Sequence, residues 1–213
     1  AGVAHFLEHM LFNGTEQFPG NQLIDVLRGF GMEFGADVNA YTSYDETVYE
    51  LHVPVDESDN LATGVDVLAE WLGAATIDED EVVAERGVVL DEWRTRDQTL
   101  EGRQFQALAD LFLADSPYDD RQPIGNDAAI EGMTSDLLRR FYDTWYRPDN
   151  AAVMVVGDID IDEVEELVRD RFEGMGARAD AAERPNLDMP AFDASQVLLL
   201  GDPDATETSV ELT

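Results

Sequence analysis

The chain has no cysteine, no lysine, only three histidines, and no apolar run approaching the 18 residues that a membrane-spanning helix requires. Without cysteine there can be neither disulfides nor thiolate metal ligands, although this absence does not select a compartment. Without lysine, all 13 basic residues are arginine, and they face 47 acidic residues for a formal net charge of −34. Such a surface repels nucleic acid and anionic membranes, which excludes two large classes of partner. It would attract basic peptides, but an acidic bias without lysine is read more simply as the carboxylate-rich, soluble surface of a halophilic or high-GC source. What is present is enough for a core: 213 residues, 44% of them hydrophobic, can build one sizeable core or two modest subdomains.

Two of the three histidines sit together in Ala4-His5-Phe6-Leu7-Glu8-His9-Met10-Leu11-Phe12. In a helix, residues three and four apart share a face, so His5, Glu8 and His9 stand side by side while Phe6, Leu7, Met10 and Leu11 anchor the segment in a core. Two imidazoles at i and i+4 can converge on one Zn²⁺ at roughly 2.0–2.1 Å each. A neighbouring carboxylate can take a proton from water that such an ion acidifies to a pKa of about 7. The order H-x-x-E-H is the inverzincin pattern. A third ligand must then be an oxygen donor, because His52, in the alternating run Tyr49-Glu50-Leu51-His52-Val53, reads as a strand residue. Glu85 and Glu92 are two helical turns apart in the acidic stretch 78–94 and so share a face. One of them can bind the metal while the other orients a ligand histidine. The competing reading of that stretch is a solvated acidic helix.

The motifs H-F-L-E-H-M-L-F-N-G-T, F-P-G-N, N-A-Y-T-S-Y-D-E-T-V-Y, E-R-G-V-V-L-D-E-W-R, R-R-F-Y-D-T-W-Y-R-P-D-N and V-V-G-D-I occur in this order from Gly2 to about Phe172. Together they resemble the pitrilysin/insulysin family of zinc metallopeptidases. The resemblance implies zinc held by His5, His9 and Glu92, with Glu8 as general base and Glu85 as the partner that orients a ligand histidine. An alternative register of the E-x6-E pair would make Glu85 the third ligand. The resemblance further implies that Asn39, Ala40 and Tyr41 lie on an edge strand that pairs with an extended peptide substrate. It also implies a homologous second half, or a partner subunit, that closes a chamber over the site, and a place in the bacterial periplasm or cell envelope. Two rivals stand beside the peptidase: a non-catalytic assembly half, and a zinc-binding module with no hydrolase role.

The rest of the chain predicts an α+β fold, with mainly antiparallel sheet and helices packed on one face. Helices are expected over Gln22–Phe30 with Asn21 as cap, Asp59–Ala75, the segment after Asp78 to about Arg96, Leu100–Leu113, Ser135–Tyr146 capped by Ser135, and Ile161–Phe172. Met32–Ser43 and Glu46–Pro54 read as a hairpin turning at Tyr44-Asp45. Asn150–Ile159 reads as a buried strand, and Ser195–Leu200 and Thr208–Leu212 as strands of a further unit. The expected organisation is a catalytic domain over 1–173 that lacks its first strand, a linker over 174–194, and the start of a truncated subdomain over 195–213. With no initiator Met and a start almost inside the metal helix, the chain is expected to be part of a longer protein.

Overall fold

A computed structural model describes residues 1–55, 58–176, 182–183, 187, 189 and 195–210. Its centre is the helix α1, Val3–Phe12, whose Phe6, Leu7, Met10 and Leu11 are at most 1% exposed. Each such side chain contributes roughly 1.5–3 kcal/mol by leaving water. Helix α2, Gln22–Gly29, follows a loop and buries Leu23 and Leu27. Strands β1, Val38–Thr42, and β2, Thr47–Leu51, form an antiparallel hairpin that packs against α1. Helices α3, Ser58–Gly73, and α4, Glu79–Asp97, come next, then α5, Leu100–Leu113, α6, Asp127–Glu131, α7, Ser135–Trp145, and α8, Ile161–Phe172. The result is a helix-rich α+β fold with one small antiparallel sheet among the described residues. None of its described helices is long and apolar enough to cross a membrane.

Hydrogen bonds from buried aromatic side chains fix the C-terminal end of α1. The Trp71 Nε1–H donates to the Leu11 carbonyl at 2.9 Å, and the Tyr142 hydroxyl donates to the Trp71 carbonyl at 2.9 Å. Phe12 packs edge-on against both Phe34 and Trp71, with ring centroids 5.1 Å apart in each case. The chain then leaves α1 through Gly14, at φ 139°. A Cβ there would lie 2.8 Å from the Gly20 nitrogen, so only glycine fits this turn.

Several expected boundaries are confirmed. Asp78 caps α4 by accepting from the Asp80 N–H, and α5 spans the expected residues with Thr99 as its cap. Others need correction. The side chain of Asn21 makes no capping bond at α2, and Thr134, not Ser135, caps α7 by accepting from the Leu137 N–H. The hairpin strands are shorter than expected, because residues 33–37 fold into a turn in which the Asp37 N–H donates to the Glu33 carbonyl at 2.8 Å. Helix α6 was not expected, although Asn126 before it is a standard cap and Gly132 follows it.

The largest difference concerns Asn150–Ile159. This run is no buried strand: residues 151–156 have no regular structure, and Met154 and Val156 are 85% and 87% exposed. The composition suits a strand, but a ladder needs a neighbour, and no described segment pairs with this one. The same holds for Ser195–Leu200 and for 208–210, while 211–212 lie outside the described residues, as does most of the expected linker.

Candidate metal centre

Helix α4 runs beside α1 and presents Glu85 and Glu92 to it, two turns apart on one face. The structure thereby brings together residues that are 76 or more positions apart in the chain. The His5 Nε2 lies 3.5 Å and the His9 Nε2 3.3 Å from the same oxygen, Oε2 of Glu92. The two imidazole rings meet at 66° with centroids 4.8 Å apart. Among the described residues, His5, His9 and Glu92 form the one group whose donor atoms, all within 4.8 Å of one another, could hold a metal ion.

Glu85 plays a different part. Its Oε1 lies 2.9 Å from the His9 Nδ1, and its Oε2 accepts from the Asn13 Nδ2–H at 2.8 Å. A carboxylate at Nδ1 holds a proton there and turns Nε2 toward Glu92. Asn13, one helical turn after His9, was not recognised from the sequence as part of the site. Its signal was the same i, i+4 spacing that picked out the histidines.

Two imidazole nitrogens and a carboxylate this close repel through their lone pairs unless a cation lies among them, so the donor set fits a small divalent ion with mixed N/O ligands. In the metal-free chain a proton meets that need. Burial alone would lower the pKa of His9, but hydrogen bonds to Glu85 and Glu92 outweigh it and raise the value from 6.5 to about 9. Hydrogen bonds to His5 first and then His9 hold the Glu92 carboxyl well below the usual carboxylate range against the opposing effect of burial. Burial would raise Glu85, yet its bonds to His9 and Asn13 leave it lowered.

These directions set a pH dependence. The raised His9 pKa stabilises the metal-free fold fully below about pH 6.5, the value of a free imidazole. That contribution is lost as pH rises through about 9. The lowered carboxyls act in the opposite sense, stabilising above the unfolded carboxylate pKa and losing that contribution as pH falls through their folded values. A metal at Nε2 must displace the His9 proton. Zinc binding at pH 7.5 is therefore expected to release about one proton per ion and to tighten as pH approaches 9. Calorimetric titration in two buffers of different ionisation enthalpy measures both.

Glu8 stands between the two histidines in sequence and is 7% exposed. Its Oε2 accepts from the Thr42 hydroxyl of β1 at 2.5 Å. With His9, Asn13 and Glu85 it lines a cleft of about 430 Å³ that Phe12, Phe34, Asn39 and Ala40 also border. Of the three expected edge-strand residues, Asn39 and Ala40 face this cleft, whereas Tyr41 is 47% exposed and is not among its lining residues. The edge of β1 away from β2 carries no further strand among the described residues. His52 is exposed and lies outside the cluster.

A helix carrying H-x-x-E-H, packed on a longer one carrying E-x6-E beside an edge strand, defines a pitrilysin-like metallopeptidase fold. Superposition on pitrilysin gives a TM-score of 0.69 at 22% identity, over 89% of this chain and 20% of that one. Residues 1–119 match the family model for insulinase (peptidase family M16), and residues 132–213 match that for the peptidase M16 inactive domain, so the chain belongs to the M16 family. It is 45% identical over 183 residues to "Probable zinc protease PqqL" of Escherichia coli strain K12, covering 86% of this chain and 20% of that protein. An uncharacterized zinc protease of Mycobacterium leprae is 34% identical over all of this chain and 46% of its own length. The crystal structure of the first half of the periplasmic protease PqqL from E. coli superposes with a TM-score of 0.84 at 44% identity, over 90% of this chain and 40% of that one. The chain thus spans from a fifth to just under half of the relatives it matches.

Proposed function

We propose that this chain is the metal-holding part of a zinc endopeptidase, with His5, His9 and Glu92 as ligands, Glu8 as general base and Glu85 as the group that orients His9. The observation that carries the reading is the convergence of both Nε2 atoms on one Glu92 oxygen, with Glu8, on the helix that carries both histidines, lining a cleft together with His9 and Glu85. Zinc in such a set supplies a Lewis acid that polarises the scissile carbonyl and acidifies water. The chain's own residues do the rest. Glu85, held by Asn13, keeps the His9 proton on Nδ1 and leaves Nε2 free. Glu8 takes a proton from the attacking water and returns it to the leaving amine. Asn39, Ala40 and Tyr41 on the free edge of β1 hydrogen-bond an extended peptide, with selectivity set by alternate side chains.

Efficient catalysis also requires a second, homologous half. The relatives are two to five times longer than this chain, and apolar side chains such as Met154, Val156, Val197 and Leu199 stand exposed as if awaiting cover. A periplasmic location is proposed on the likeness to the E. coli protease. The reading is tested with an internally quenched peptide. Zinc-loaded protein with its complementary half should cleave the peptide, a chelator should abolish cleavage, and stoichiometric zinc should restore it. The chain alone should bind zinc and cleave slowly. Efficient turnover by the chain alone would refute the need for a second half, and cleavage that a chelator does not touch would refute the zinc mechanism.

A further inference from the structure

A buried carboxylate that moves protons must be held, or it samples rotamers in which it cannot reach the water. Glu8 sits in the middle of α1, where the helix uses its own backbone donors, so a fixing donor has to come from another element. The structure supplies one in Thr42, the last residue of β1. Side chains alternate along β1, which places Val38 in the core, Ala40 at the cleft and Thr42 against Glu8, all on one face.

Thr42 is itself braced. Register pairs it with Thr47 of β2, and the two hydroxyls are 3.2 Å apart. The tight turn between them, closed by the Ser43 N–H donating to the Glu46 carbonyl at 2.8 Å, pins that register. Behind Thr47, Tyr146 hydrogen-bonds it from the end of α7, and the Tyr146 and Tyr49 hydroxyls are 2.7 Å apart. Burial, the main cause, pushes both phenols up, so each stays protonated and uncharged beside Thr47.

The direction of the bond to Glu8 follows from its acceptor. An ionised carboxylate only accepts, so Thr42 must give Glu8 its single proton. With that proton committed, the Thr42 oxygen is free to accept from the Thr47 hydroxyl, and Tyr146 and Tyr49 close the group behind it. One oxygen of Glu8 is thereby occupied and the other is left for the cleft.

We infer that Thr42, braced through Thr47 by Tyr146 and Tyr49, is a positioning residue that fixes the Glu8 carboxylate for proton transfer. The inference rests on the reading of Glu8 as general base, and its test separates the two. Thr42→Val keeps the branched shape and strand preference but removes the hydroxyl. In the zinc-loaded protein with its complementary half, it should lower kcat by roughly 10- to 100-fold, the worth of one hydrogen bond to a charged group. KM should stay within about twofold and zinc content at one ion per chain. Thr42→Ser should restore most of the rate. In a Glu8→Gln background, Thr42→Val should change the residual rate by less than about twofold, because the group it acts through is gone. If Glu8→Gln is inactive while Thr42→Val turns over at the wild-type rate, the positioning role is wrong and the general base survives. If Thr42→Val loses zinc, or Thr42→Ser fails to rescue, Thr42 is merely structural and the inference fails. If Glu8→Gln itself remains active, both fall.

Discussion

Glu8→Gln is expected to cut peptide turnover by roughly 10²- to 10⁴-fold, the usual contribution of a positioned general base, while zinc stays bound at one ion per chain. The substitution is nearly isosteric, and the amide oxygen can still accept from the Thr42 hydroxyl, so the packing of α1 is kept. Glu8 is not in the donor cluster of His5, His9 and Glu92, so losing its charge leaves those ligands in place. What disappears is the acceptor for the water proton and the donor to the leaving amine. Single-turnover kinetics on a peptide, with elemental analysis of the same preparation, make the comparison. A variant that keeps both zinc and turnover would remove Glu8 from the mechanism.

The second large effect separates the two glutamates of α4. Glu92→Gln removes the carboxylate that both Nε2 atoms face and, if it is the third ligand as proposed, should empty the site. Glu85→Gln leaves the ligands intact but weakens the bond that fixes His9, which should cost roughly 10–100-fold in zinc affinity without emptying the site. Competition with a chromogenic chelator at matched high salt measures both, the salt being needed to damp repulsion within a chain of net charge −34. If Glu85→Gln is the variant that empties the site, the ligand register moves back by seven residues and the rest of the scheme stands.

The candidate cluster was legible in the sequence because the spacing on each of its two helices is local. The i, i+3, i+4 spacing of His5, Glu8 and His9 and the two-turn spacing of Glu85 and Glu92 each follow from helical periodicity alone. That the two faces meet was not local, and it came from resemblance to a family rather than from spacing. Thr42 and Asn13 were passed over for related reasons. A hydroxyl at the end of a five-residue strand has no pattern to announce it, and an asparagine before a glycine reads as a turn residue. The apolar run at 151–156 misled in the other direction. Periodicity reports what a segment could bury, whereas a strand also needs a neighbour in register, and that neighbour is not among the described residues.

Because Glu85 and Glu92 ride on one continuous helix, they cannot move independently. One inserted residue between them would swing Glu92 by about 100° around the helix axis and away from both histidines. The long stretch from the end of α1 to the start of α4 has no such constraint, since its loops can lengthen at small entropic cost while the two helices stay docked. Length variation tolerated in the loops of that stretch, outside the β1–β2 hairpin, and forbidden between Glu85 and Glu92 is thus the pattern this architecture imposes on any set of homologous sequences. A designer grafting the site elsewhere must carry over those two turns and the β1–β2 hairpin intact and is free to rebuild the loops between them.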